Sequence, residues 1–420
     1  MPNGHRRSLA VVLTAGLLVA ACGDGSSAEA PVETSVPTTQ APTTTASPTT
    51  TGSPASTTPS PVDGVAVEDV VGTALQTASG TTALADRMVE LNVPGVAVAV
   101  VVDGSVVTSF AVGSTPTGQP MATDTIVQVA SVSKPVAALT ALSLAASGAI
   151  DLDADVETAL TSYTLPAGAQ TGDNPVTISG LLAHGAGTNV DGYLGYAEAT
   201  DAPTRPEVLA GGGNAAAVSV VQPPGSSFLY SGGGYELMAQ TLVDITGQDF
   251  ASLVARAVLE PAGMDDSFYA LELDDSRAVQ ASEGSIGGQA LDNRWQAHPE
   301  QAAAGLWTTV DDLGALLAAF SRSLLGDDSG VVAPATARLA VTPTLSAEGI
   351  GATAQGFFVD DFESPTRWFH NGRNIGYTAE IAGAIDGSYA VAVVTNSFPG
   401  GTDLAREIIA TVEATIEDLS

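Results

Sequence analysis

The chain has 420 residues and carries 46 Asp and Glu against 13 Lys and Arg, a formal net charge of −33 at pH 7. So acidic a surface repels nucleic acid and anionic lipid headgroups, and the single cysteine, Cys22, leaves no disulfide, thiolate nucleophile or cysteine metal site beyond that position. With 45% hydrophobic residues there is ample apolar material for a large core or two lobes from about Asp63 onward.

Residues 1–21 read as an export signal. Arg6 and Arg7 precede an apolar run from Leu9 to Ala21, too short to span a bilayer and long enough for a signal-peptide core. The run ends Leu18-Val19-Ala20-Ala21-Cys22, which resembles a bacterial lipobox, with Cys22 as the lipidated new N-terminus. Residues 22–62 are rich in Thr, Ser, Pro and Ala with almost no large apolar side chains, so they are expected to form an extended tether. These features predict a protein anchored by lipid to the outer face of a bacterial cell membrane, touching the membrane only through that anchor.

The folded part, 63–420, is expected to open with one helical stretch over about Val65–Leu91. Two β-branched runs, Val96–Val102 and Ser105–Phe110, then flank Asp103-Gly104, a hairpin dipeptide. A matching hairpin near the C-terminus, Tyr377–Ile385 and Ser388–Thr395 around Asp386-Gly387, is followed by an amphipathic helix over Leu404–Leu419. The sheet is thus assembled from both chain ends, and Leu152–Leu345 reads as an inserted lobe rich in helix and loop.

Chemistry enters at Val129-Ala130-Ser131-Val132-Ser133-Lys134-Pro135. Lys134 is the only lysine, in a chain whose other cations are twelve arginines. An ammonium can give up its proton when buried and a guanidinium cannot, so the choice points to proton transfer. Positions i and i+3 share a helix face, which lets Ser131 and Lys134 meet, and Pro135 places both near a helix N-terminus. The pattern suits an activated serine and also a helix-capping serine. Tyr230, in Phe228-Leu229-Tyr230-Ser231-Gly232-Gly233-Gly234-Tyr235, sits in a small-residue loop before a helix; held near a lysine it can relay a proton, and otherwise it is a packed aromatic. Trp368-Phe369-His370-Asn371-Gly372-Arg373 ends a strand with a polar residue and a glycine that lets backbone approach a ligand. His184 and His298 lack metal-ligand spacing and read as structural or substrate-lining.

Taken together, these motifs resemble the serine β-lactamase-related family, which includes class C β-lactamases, penicillin-binding-protein-like DD-peptidases and their esterase and D-aminopeptidase relatives. The resemblance runs in family order from Val93-Pro94-Gly95-Val96 through Thr125–Lys134, Gly148–Asp153, Leu181–Gly187, Tyr230–Tyr235, Ala303–Thr309 and His370–Tyr377 to Val393-Val394-Thr395-Asn396. It implies an α/β (α+β) β-lactamase-like fold, an antiparallel sheet flanked by helices with an inserted helical lobe and the site between them. It implies Ser131 as acylated nucleophile, Lys134 as base or proton relay, Tyr230 as the tyrosine of the second motif, His370 and Gly372 as the third motif, and the backbone of Ser131 and Arg373 as an oxyanion hole. No metal or cofactor is implied; the expected partner is a small-molecule or peptide substrate, and the expected state a monomer.

Two departures bear on substrate. Gly232 stands where the family usually has an asparagine that binds the substrate's acyl side-chain carbonyl, and His370 stands where class C enzymes have lysine, leaving Arg373 as a substitute for the carboxylate clamp. The sequence therefore points to a serine hydrolase acting on an ester, amide or β-lactam, with a non-catalytic module that binds peptidoglycan peptides or β-lactams as the competing class.

Overall fold

The computed structural model describes residues 63–419, all within the unit Thr58–Ser420. The expected signal peptide (1–21), the lipidated Cys22 and the tether (22–62) lie outside the described residues.

Eight antiparallel strands form the central sheet. In chain order they are β1 (Gly95–Val102), β2 (Ser105–Gly113), β3 (Leu345–Ala347), β4 (Gly351–Thr353), β5 (Phe358–Val359), β6 (Arg367–Asn374), β7 (Tyr377–Ala384) and β8 (Tyr389–Thr395), and across the sheet they run β3-β4-β5-β6-β7-β8-β1-β2. Both predicted hairpins are present. The β1–β2 turn needs two left-handed residues, and Asp103 (φ 48°) and Gly104 (φ 72°) supply them. The chain ends meet where β8 pairs with β1, Val393 opposite Val98.

Period-2 alternation sorts the central strands between two cores. Val96, Val98, Val100, Val391 and Val393 pack on one face against α1 (Gly64–Thr73), α2 (Leu84–Leu91) and the C-terminal α6 (Gly400–Leu419). Ala97, Ala99, Val101, Ala392 and Val394 pack on the other against α3 (Ser133–Ala146), α4 (Gly232–Thr246) and α5 (Val310–Leu325). Covering both faces explains why β1 is a continuous apolar run. Among the described residues no helix is long and apolar enough to cross a membrane.

The single N-terminal helix expected over Val65–Leu91 is two helices. Between α1 and α2 the chain forms a small hairpin, Leu75–Thr77 against Gly80–Thr82. Gly80 takes φ 124°, and the β-branched Thr81 and Thr82 prefer the pleat to a helix.

Candidate active site

Ser131 lies in a tight turn, Ala130–Val132, directly ahead of α3. Ala130 adopts φ 49°, a left-handed conformation that costs a residue with a Cβ on the order of 1–3 kcal/mol. The turn is held by Ser133, whose Oγ donates to the Ala130 carbonyl at 2.6 Å and accepts from the Leu306 N–H at 3.0 Å. Residues 132–142 are buried, whereas Ser131 is half-buried, so the strained turn presents that hydroxyl to the surface.

Lys134 is 1% exposed. Its Nζ lies 2.9 Å from Ser131 Oγ and donates to the Ala303 carbonyl at 2.7 Å. The i, i+3 geometry expected from sequence is therefore present. Ala303 belongs to a short helix, Gln301–Ala304, packed beside α3, and its N–H donates to Glu236 Oε1 at 2.9 Å. Glu236 Oε2 accepts from Arg205 Nε at 2.8 Å, with side-chain exposures of 0% and 11%. Burial raises the Glu236 carboxyl above the usual carboxylate range, and Arg205 opposes that rise.

Tyr230 precedes α4, whose N-cap Ser231 accepts from the Gly234 N–H at 2.8 Å. The Lys134 Nζ sits 5.1 Å from the centroid of the Tyr230 ring, in cation–π range. On the other side Tyr230 packs on His184, with centroids 4.3 Å apart. His184 Nδ1 accepts from the Ser231 N–H at 3.0 Å, which leaves Nε2 as the protonated nitrogen of a neutral ring. Burial, then the Lys134 charge and His370, hold His184 well below its ordinary pKa. The expectation that His184 is structural or substrate-lining fits this place against Tyr230.

His370 is 1% exposed on β6. Its Nδ1 donates to the Asn371 carbonyl at 2.8 Å, and Nε2 is buried without a partner. Burial, reinforced by the Lys134 charge, lowers its pKa to about 3, so the ring is neutral near neutral pH. Gly372 lies inside β6, which continues to Asn374, and not at a strand end as expected. A Cβ on Gly372 would fall 2.2 Å from the Val129 carbonyl oxygen, 2.8 Å from the Ser131 nitrogen and 2.9 Å from the Val132 nitrogen, so only glycine lets the strand lie against the serine turn. Asn374 anchors the end of β6 by donating to Gln128 Oε1 at 2.9 Å and to the Ala304 carbonyl at 3.2 Å. Arg373 is exposed and, among the described residues, makes no ion pair within 4.0 Å.

At Gly232 a Cβ would lie 3.2 Å from the Asp191 carbonyl oxygen, 3.3 Å from Tyr193 Cε2 and 3.5 Å from Ala303 Cβ. The Tyr193 ring therefore packs against the position of the family's usual amide. His298 is buried, with its Nδ1 3.6 Å from Oε2 of Glu300, the residue that precedes the Gln301–Ala304 helix. No cluster of three His, Cys, Asp or Glu able to hold a metal occurs among the described residues. A cavity of about 800 Å³ lined by Thr117, Asp124, Glu283 and Arg294 includes none of the residues named around Ser131.

Sequence reasoning missed Ala303, Glu236, Arg205 and Tyr193. One signal was legible: Glu236 is an acid in an otherwise apolar stretch, Tyr235-Glu236-Leu237-Met238, where a carboxylate needs a reason.

Over 233 residues the chain is 28% identical to a D-aminopeptidase of Gluconobacter oxydans (strain 621H), covering 52% of this chain and 41% of that protein. Over 179 residues it is 32% identical to the esterase EstB of Burkholderia gladioli, covering 40% and 44%. The chain thus spans less than half the length of these two relatives. Its fold superposes on the octameric penicillin-binding protein homologue from Pyrococcus abyssi with a TM-score of 0.64 at 25% identity, covering 79% of this chain and 76% of that one. A family model described as Beta-lactamase matches residues 81–415, from the small N-terminal hairpin to the last turns of α6, and to that serine β-lactamase-like family the chain belongs.

Proposed function

We propose that this chain is a serine hydrolase that forms an acyl-enzyme at Ser131 and hydrolyses it, acting on a carboxylic ester or a D-amino-acid amide in preference to a β-lactam. One observation carries the reading: the only lysine is buried, 2.9 Å from a half-buried serine hydroxyl. With Nζ unprotonated, that contact takes the Ser131 proton as Oγ attacks the substrate carbonyl carbon. Tyr230, beside Lys134, passes a proton to the departing alcohol or amine as its bond to the carbonyl carbon breaks and takes the serine's proton from Lys134 in return; water then adds to the acyl carbon, and its proton passes through the same couple to Ser131 Oγ as the Ser131 ester bond breaks. In this reading the developing oxyanion is taken by the N–H groups of Ser131 and Arg373. The absence of a side chain at Gly232 weighs against β-lactams, since no amide is offered there for their acylamino group. Arg373, exposed and without an ion pair among the described residues, serves as the cation for a substrate carboxylate.

The reading includes export and lipid attachment at Cys22, a monomeric state, and no nucleic-acid partner. The test is intact-protein mass of the full chain after exposure to a fluorophosphonate and, separately, to an aryl ester and a penicillin, with Ser131→Ala as control. One fluorophosphonate adduct per chain, absent in the variant, with turnover of the ester, is the expected result. No adduct and no turnover on folded protein overturns it in favour of a binding module, and a penicillin adduct that decays within minutes reverses the substrate order.

A further inference from the structure

We propose that Glu236 is a positioning residue for the Ser131–Lys134 couple, acting through Ala303; this rests on the serine-hydrolase reading above.

The Gln301–Ala304 helix is one turn long, so its first N–H groups have no acceptor within it. Its N-cap, Glu300, supplies no side-chain hydrogen bond. Glu236, on a different helix, does so instead: Oε1 takes the Ala303 N–H at 2.9 Å. The carbonyl of the same residue accepts a hydrogen bond from Lys134 Nζ at 2.7 Å. Arg205 completes the grip, donating from Nε to Glu236 Oε2 at 2.8 Å and from its Nη2 to Gln301 Oε1 at 2.6 Å. The run Arg205–Glu236–Ala303–Lys134–Ser131 is therefore unbroken.

Stability alone does not account for it. Glu236 is fully buried between Tyr235 and Leu237, each also at 0% exposure, and a buried ion pair is generally no better for stability than apolar side chains of the same volume. What an apolar pair cannot do is hold the Ala303 N–H, and through that residue the carbonyl that aims Lys134 at Ser131. Small misplacements of a catalytic group reach 10²-fold in rate, enough to make such an anchor matter.

The test compares two full-chain double variants. Arg205→Met/Glu236→Gln removes the charges and keeps an acceptor for Ala303; Arg205→Met/Glu236→Leu removes both. The readouts are melting temperature, the rate of fluorophosphonate labelling of Ser131, and kcat and KM on an aryl ester. The Gln pair is expected to stay within about threefold of the parent in labelling rate, and the Leu pair to fall roughly 10–100-fold in labelling and in kcat with KM moved less than about threefold. If the Leu pair fails to fold, Arg205→Met/Glu236→Met, with an unbranched side chain of similar volume, replaces it. Equal labelling and equal kcat in the folded Gln and apolar pairs overturns the positioning role while leaving the hydrolase reading intact. A parent chain that neither labels nor turns over ester removes the hydrolase reading, and this proposal with it.

Discussion

The two flanks of Ser131 are built on different principles. On the sheet side, β6 reaches the serine by bare backbone: Gly372 leaves no room for a Cβ beside the Val129 carbonyl and the Ser131 nitrogen, and the neighbouring His370 is buried and neutral. On the lobe side, contact is made through side chains, with Lys134, Glu236 and Arg205 linked by hydrogen bonds of 2.7–2.9 Å through Ala303. The first flank tolerates no added atom; the second tolerates exchange of groups that keep the hydrogen bonds. Steric and electrostatic control are thus divided between the two halves of the fold.

The sharpest way to break this contrast is Gly372→Ala. All three nearest atoms are backbone and cannot swing aside, so β6 must retreat from the serine turn. We expect Ser131 labelling to slow by about 10²-fold or more and stability to fall by about 1–3 kcal/mol, measured by mass spectrometry and urea unfolding. Labelling at the parental rate would show that the strand's close approach is dispensable.

An intermediate effect is expected from His370 through pH. Its folded pKa of about 3 lies below the unfolded value of 6.5, so between those limits the unfolded chain binds the extra proton. Stability from this group is full above pH 6.5 and is lost as pH falls toward 3, at about 1.4 kcal/mol per unit. Urea unfolding at pH 7 and pH 5 should show the parent losing about 2 kcal/mol more than His370→Gln. Identical losses would mean that His370 takes a proton in place.

The smallest effect is expected at Gly232→Ala. The nearest atoms, the Asp191 carbonyl oxygen at 3.2 Å, the Tyr193 ring edge at 3.3 Å and the Ala303 methyl at 3.5 Å, all lie beyond 3.0 Å, so a shift of a few tenths of an ångström accommodates the added methyl. Ester turnover should change less than about threefold. A large loss would place Gly232 with Gly372 as a position of strict backbone approach and erase the distinction between the flanks.

Where chemistry depends on local spacing, the site was legible in the chain. Ser131 and Lys134 are three residues apart, the serine in the turn directly ahead of α3 and the lysine in its first turn, and that short separation lets them meet at 2.9 Å. Tyr230 and His370 were found as motifs, and the structure places the Tyr230 ring on Lys134 and against His184, with His370 6.5 Å from it by centroid. The role of His370 as a neutral ring was hidden, because its pKa is set by burial and by the charge of a residue more than two hundred positions away. The N-terminal helix was over-extended because an apolar pattern with a weak Ser79-Gly80 turn signal reads as continuous until a strand partner is known.

By itself the sequence determined the elements with a strong local signature: two hairpins with Asp-Gly turns, a strand buried on both faces, an amphipathic C-terminal helix, and one serine three residues before the sole lysine. Hydrophobic periodicity and turn chemistry act over a few residues, so they can be read without coordinates. Only the tertiary structure decided that residue 303 would offer its carbonyl to Lys134 and its N–H to Glu236, that Tyr193 would fill the space at Gly232, and that Gly372 would lie against the Ser131 turn. Each of these joins segments between about forty and two hundred and forty residues apart, and backbone groups, which every residue carries alike, make several of the contacts. No side-chain pattern along the chain can announce them.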